Sequence, residues 1–385
     1  MRPEDFTAPE IGRAKRGVGR WGFWYFCPEP IPRTVDLAVE TVMALSNADT
    51  ALGRLAGVGR LLRDPHLLVQ PYVTREALAS SRIEGTQASL SDVFRAVASG
   101  GSSPDSNVRE VENYIRAMET GLQLLQRLPI SNRVLRTIHE TLLQDVRGRE
   151  RLPGEFRETP VWIGSPTDSP ENATYVPPLS EEMHAALRDW ELFANEDPRM
   201  PMLVRCALLH YQFETIHPFL DGNGRLGRLL IVFFLMQQGR LPAPLLYISS
   251  YLEDHRPEYY ERLQAVRERG ELQAWIQFFL TAVAAQAEDA VARAEQLVDL
   301  RERYRLELAG SRSRAAEVVD LVMENPIISS YTIQRRMEVT NQGARNLILQ
   351  LERRGLIEPL GRFGRGGRQF WLAPEVFAVL NRPQA

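Results

Sequence analysis

The stretch His217-Pro-Phe-Leu-Asp-Gly-Asn-Gly-Arg-Leu-Gly-Arg228 gathers a base, a carboxylate, a glycine turn and two cations. His217 can accept a proton near neutral pH without unusual tuning. Asp221 can hold Mg2+ between phosphate oxygens. Gly222 and Gly224 permit positive φ, so successive N–H groups can converge on an anion. A helix starting near Gly224 aims its positive N-terminus at the same place. Arg225 and Arg228 are three apart and can both face it. Such a set suits holding a nucleotide's phosphates and moving a proton beside them. A glycine turn between buried helices, with a satisfied histidine, would explain a lone Gly-x-Gly but not the whole set. His210, Glu214 and His217 also share a helix face by spacing. A metal site there is conceivable, though no fourth ligand is evident.

The elements that must carry these groups are helical. Pro218 disfavours helix in the residue before it, so one helix ends near His217. Apolar spacing predicts helices at about Val35–Arg63, Thr74–Glu84, Asn107–Leu128, Asn132–Asp145, Pro178–Asn195, Pro201–Ile216, Gly224–Gln238, Arg256–Arg269 and Leu272–Glu307. Ser89 is expected to cap a further helix. Residues 1–35 read as an ordered arm rich in Pro, Gly and aromatics. Val161–Ile163 and Thr174–Val176 read as a β-hairpin. The loop Gly100–Ser106 is a plausible joint. The expected division is a helical N-terminal part at 1–106, a core at 107–307 and a separate segment at 311–385.

Ser80-Ser-Arg-Ile-Glu-Gly85 is the second informative run. Gly85 ends the preceding helix and leaves Glu84 in its last turn. A carboxylate there opposes the helix dipole and gains from a cationic partner. A rival reading is a capping box, Ser81-x-x-Glu84, opening a new helix.

The last segment has a different order. A helix at Arg312–Glu324 precedes helices at Ser330–Met337 and Asn341–Arg354. A glycine-rich run, Gly361–Arg368, and the strand-like Gln369–Leu372 follow. That order is a winged helix. Gln342, Arg345 and Asn346 could reach base edges of duplex DNA, with Arg362, Arg365 and Arg368 on phosphates. Residues 311–385 carry eleven Arg against seven Asp plus Glu. Protein docking or dimerisation by the same fold stays open.

The chain's 385 residues exceed one ordinary domain, and 44% hydrophobic with 25% charged is a globular composition. A formal net charge of −3 argues against wholesale coating of nucleic acid. Every basic residue but Lys15 is Arg, which carries no functional weight here. Cys27 and Cys206 offer no disulfide framework and fit a reducing cytosol. No signal peptide or membrane span is expected, so the expected location is cytoplasmic.

The twelve-residue stretch resembles the Fic family signature, His-x-Phe-x-Asp/Glu-Gly-Asn-Gly-Arg-x-x-Arg, at every fixed position. The likeness extends through Leu209–Ile216, Gly239–Ser249, and Gly154-Glu-Phe-Arg157 with Val161–Gly164. The resemblance implies a mainly α fold: a Fic helical core with a β-hairpin flap. It implies a protein adenylyltransferase that moves AMP from Mg-ATP to a hydroxyl side chain (Ser, Thr or Tyr) of a target protein. On that likeness His217 is the base and Asp221 the Mg2+ ligand. The backbone of Gly222, Asn223 and Gly224 cradles phosphates, with the Asn223 amide helping, and Arg225 and Arg228 bind the phosphate tail. The flap would align the target by strand addition. Doc-type toxins, which transfer phosphate, replace the second glycine with Lys; Gly224 is kept here, which favours AMP.

Ser80 and Glu84 resemble the family's inhibitory motif, Ser/Thr-x-x-x-Glu-Gly/Asn. There the glutamate pairs with the second arginine, here Arg228. A charged hydrogen bond of ~1.5–3 kcal/mol would shift occupancy about ten- to a hundred-fold. Relatives often form homodimers, and in some the same glutamate supports AMP removal. Two alternatives therefore stand beside AMP transfer: a DNA-binding regulator with a secondary Fic core, and a mainly de-AMPylating enzyme.

Overall fold

The computed structural model describes residues 1–385 except 62–65, 101–102, 147–148, 166, 310–312, 365 and 383–385. The expected helix end at Arg63, the helix start at Arg312 and the wing residue Arg365 therefore lie outside the described residues, as does part of the Gly100–Ser106 loop.

The N-terminal arm is a hairpin, with β1 (Gly12–Arg16) antiparallel to β2 (Trp24–Pro28). Phe23, Tyr25 and Phe26 bury against Tyr175 and Val176. Phe26 N–H donates to the Val176 carbonyl at 2.8 Å, so the hairpin backs the flap region. Next, α1 (Val39–Leu61) lies along the long α11 (Leu272–Glu307). The following helix, α2 (His66–Ile83), starts well before the expected Thr74 and runs through Pro71. Burial of Val69, Tyr72 and Val73 outweighs the local cost of the proline. Ser89 caps α3 (Leu90–Ser99) in a reciprocal capping box with Asp92.

The core continues with α4 (Ser106–Leu125), α5 (Asn132–Leu142), α6 (Ser180–Asn195), α7 (Met202–Ile216) and α8 (Asn223–Gln237). Every residue of α7 is buried, polar ones such as His210 and Glu214 included, so the helix is enclosed on all sides. It packs against α8. A short α9 (Ser249–Asp254) precedes α10 (Arg256–Arg269) and α11. It escaped the sequence reading because six residues are too few to display a helical period. The expected β-hairpin at 161–176 shrinks to one bridge: Ile163 and Tyr175 exchange backbone bonds of 2.8 and 3.1 Å. Pro160 on one side and Pro177-Pro178 on the other withhold the donors that longer strands would need.

The C-terminal segment is a winged helix: α12 (Ala315–Glu324), β3 (Ile327–Ser329), α13 (Ser330–Met337), α14 (Asn341–Arg353), β4 (Glu358–Phe363), β5 (Arg368–Leu372) and α15 (Pro374–Asn381). Its sheet order is β3-β5-β4, all antiparallel. Three bonds of 2.9 Å tie it to α3: Asn325 Nδ2 to the Phe94 carbonyl, Thr332 Oγ1 to Ala98 and Arg368 Nη1 to Ser99. One hydrophobic cluster runs from Ile31 to Leu380 and joins all three expected parts. Among the described residues no helix is long and apolar enough to cross a membrane.

Candidate active site

The last residue of α7 before the proline is Ile216, and His217 turns out of the helix with φ 49° and ψ 62°. A non-glycine residue in that region needs support from its surroundings. Arg157 supplies it. Its Nε donates to the His217 carbonyl at 2.8 Å, and its Nη2 donates to Ile216 and Pro178 carbonyls at 3.2 and 2.6 Å. A buried guanidinium thus satisfies the carbonyls left open at the end of α7. Burial, with Arg157 and Arg267 nearby, pushes the His217 imidazole down to about 3, so it is neutral at pH 7. Its buried Nδ1 has no hydrogen-bond partner among the described residues.

Gly222 takes the left-handed conformation, φ 76°, and opens α8 with no side-chain cap. The first N–H groups of that helix are therefore free for an anion. Arg225 is buried; its Nη2 approaches Asp221 Oδ1 at 3.4 Å, while Nε and Nη1 have no partner among the described residues. Buried unpartnered guanidinium nitrogens beside a helix N-terminus are what a polyphosphate would satisfy. Asn223 has a role that the sequence reading did not include. Its Oδ1 accepts from Phe219 N–H and its Nδ2 donates to the Phe219 carbonyl, both at 2.9 Å. The amide staples the loop, using one of its two N–H donors to do so.

Asp221 keeps a partly exposed carboxylate, whose Oδ1 accepts from Gly222 N–H at 2.6 Å. Among the described residues no three His, Cys, Asp or Glu side chains cluster as a metal site. A single carboxylate next to a phosphate cradle nonetheless fits Mg2+, which takes most of its ligands from phosphates and water. The His210–Glu214–His217 metal reading fails: His210 spends both ring nitrogens, 3.1 Å from the Gly227 carbonyl and 2.8 Å from Tyr259 Oη.

Arg228 is buried and turned toward α2. Its Nε donates to Ser80 Oγ at 2.8 Å, and its Nη2 to the Ser80 carbonyl at 2.8 Å and Glu84 Oε1 at 2.7 Å. Glu84 N–H bonds Ser81 instead of Ser80, so Arg228 takes the place of a missing helical donor. Burial alone would raise the Glu84 carboxyl, but Arg228 outweighs it and holds it below the usual range. A Cβ on Gly224 would lie 2.3 Å from Glu84 Oε1, so a side chain there would displace the carboxylate from the start of α8. The capping-box reading of Ser81 and Glu84 fails, since α2 runs through Ser81 to Ile83 and the box sits at Ser89–Asp92.

His217, Gly224, Arg228 and Glu84 line one cleft of about 570 Å3 with Ile163 and Tyr259. The sequence reading missed two further contributors, Arg157 and Arg267, and weighed Glu214 only as a metal ligand. Arg157 lay in a run read only as flap. Arg267 donates to Thr215 Oγ1 at 3.1 Å and crosses the Tyr175 ring at 4.1 Å, yet it comes from the distant α10. Glu214 has a buried Oε1 without a partner among the described residues, and burial pushes its carboxyl up to about 7.

With this geometry in hand, the Fic/DOC family N-terminal description matches residues 42–123, and the Fic/DOC family description matches residues 129–235. The chain carries a Fic/DOC family N-terminal domain and a Fic/DOC family domain. An HTH DNA-binding domain matches residues 316–366. The protein adenylyltransferase fic-1 of Caenorhabditis briggsae is 28% identical over 276 residues, covering 69% of this chain and 48% of the relative. The protein adenylyltransferase Fic of Drosophila grimshawi is 28% identical over 203 residues, covering 51% and 38%. The chain thus spans less than half the length of these curated relatives. In fold it is similar to a Fic family protein from Desulfovibrio desulfuricans, with a TM-score of 0.57 at 20% identity over 90% of this chain and 98% of that one. A Fic domain containing signaling protein from Bacteroides thetaiotaomicron gives 0.51 at 20% identity over 65% and 95%. The Fic fold places the matched motif at the junction of α7 and α8.

Proposed function

We propose that this Fic chain transfers AMP from Mg-ATP to a hydroxyl side chain of a target protein, and that Glu84 restrains it. The observation that carries this reading is one cleft lined by His217 and by Gly224 at the uncapped start of α8, with Arg225, the next residue of that helix, keeping nitrogens unpartnered among the described residues. His217 accepts the target's hydroxyl proton, and the oxygen attacks the α-phosphorus as pyrophosphate leaves. Arg225 and the first N–H groups of α8 hold the phosphate oxygens as charge builds. Mg2+, held by Asp221, would neutralise phosphate charge. Trp162 and Ile163, both more than a third exposed at the open edge of the flap, suit an extended target segment.

Glu84 supports a restrained ground state, because it occupies Arg228 and stands against the anion-binding end of α8. The test is labelled ATP with purified chain and cell lysate. Label from the α-phosphate should appear on protein, and label from the γ-phosphate should not. Transfer of γ-label instead would defeat the reading. His217→Ala should abolish transfer while ATP still binds.

A second activity has its own support. Gln342, Arg345 and Asn346 are exposed on the outer face of α14, in the segment that matches an HTH DNA-binding domain. Duplex DNA is the partner that this face suits.

A further inference from the structure

His139, on α5, belongs to neither the twelve-residue motif nor the inhibitory run. It is fully buried, and both ring nitrogens are engaged. Gly154 N–H donates to Nδ1 at 2.9 Å, and Nε2 lies 2.9 Å from the Asp221 carbonyl oxygen. A backbone N–H can only donate, so Nδ1 must accept. Nε2 therefore carries the proton and donates to Asp221. The ring also stacks on Phe219, with centroids 3.8 Å apart and planes 14° apart. A Cβ on Gly222 would sit 3.4 Å from Nε2. One imidazole thus touches the motif at Phe219, Asp221 and Gly222.

The bond to Asp221 has a directional consequence. The peptide unit between Asp221 and Gly222 is held at both ends: its carbonyl by His139, its N–H by the Asp221 carboxylate itself at 2.6 Å. Fixing that peptide plane fixes where the carboxylate can lie. The other side of the ring holds Gly154, which opens the run ending in Arg157, and Arg157 grips the His217 carbonyl. The cation-holding end and the base end of the motif are therefore referenced to the same buried ring.

We infer that His139 is a positioning residue that sets the Asp221 carboxylate for a divalent cation. The inference rests on the adenylyltransferase reading of the site. The two bonds can be separated by substitution. His139→Gln can place an amide N–H near Nε2 and keep the Asp221 contact. His139→Asn can place an amide oxygen near Nδ1 and keep the Gly154 contact. Both are compared with wild type in the full chain carrying Glu84→Gly. Mn2+ affinity in the presence of ADP is read from the free-ion paramagnetic signal, beside thermal melting. Supporting contacts of this kind change metal affinity by roughly ten- to a hundred-fold. The expected result is weakening of that size in His139→Asn, with His139→Gln within about three-fold of wild type and similar melting for the two. Equal Mn2+ affinities in all three, or losses that simply follow melting temperature, would overturn the inference. The binding arm stands apart from the activity reading, which fails if the Glu84→Gly chain moves no α-phosphate label or moves γ-phosphate label instead.

Discussion

Arg228 Nη2 lies 2.7 Å from Glu84 Oε1 and 2.8 Å from the Ser80 carbonyl, so one buried nitrogen closes the end of α2 and holds its last carboxylate. The cation that the site would use on a phosphate tail is spent on the chain itself. Glu84→Gly should raise AMP transfer, to the chain or to a lysate target, by about ten-fold or more, as loss of a charged hydrogen bond allows. Arg228→Ala should lower it, because that change removes restraint and clamp together. Label incorporation in the two variants decides the point. If Glu84→Gly labels no more than wild type, Glu84 is a helix-end residue and nothing more.

Glu214 should impose a pH dependence on stability. Its carboxyl is raised from 4.5 to about 7 by burial. The neutral form is therefore favoured in the fold, and the stability it contributes is present below about 4.5 and lost as pH rises through 7. Glu214→Gln removes that titration. Relative to wild type the variant should gain on the order of 2–3 kcal/mol between pH 5 and pH 8, followed by denaturant unfolding. A difference that does not change with pH would show that Glu214 ionises freely.

Asn223 binds Phe219 twice, which ties its amide to the loop. Asn223→Ala should cost about 1–3 kcal/mol in stability, since it strands a buried N–H and a carbonyl. Nucleotide transfer should fall with it. Unchanged melting with weakened ATP binding would show that the amide serves the phosphates and not the loop.

Residues 311–385 should retard duplex DNA weakly and with steep salt dependence, as a few arginine contacts to phosphate would. Arg368 is already committed to the Ser99 carbonyl and the Tyr331 ring, 4.3 Å away. Arg345→Ala should therefore weaken binding of the full chain more than Arg368→Ala does. No retardation at low salt by either the fragment or the full chain would favour a protein partner for α14.

The motif from His217 to Arg228 carried the site because its spacing is local. A proline, two glycines and two arginines dictate a helix end, an anion turn and a helix start within one short run. The mainly helical fold and the winged helix were legible for the same reason, since apolar periodicity is a property of neighbouring residues. What neighbours cannot encode is which distant group closes a contact. Arg157 holding His217 and His139 holding Asp221 join residues 60 and 82 apart, so both depend on how the elements pack. The sequence likewise placed Glu84 at a helix end in want of a cation. The family resemblance named Arg228 as its partner, but only the packing of α2 across the start of α8 brings the two within 2.7 Å, a contact that residues 144 apart cannot encode locally.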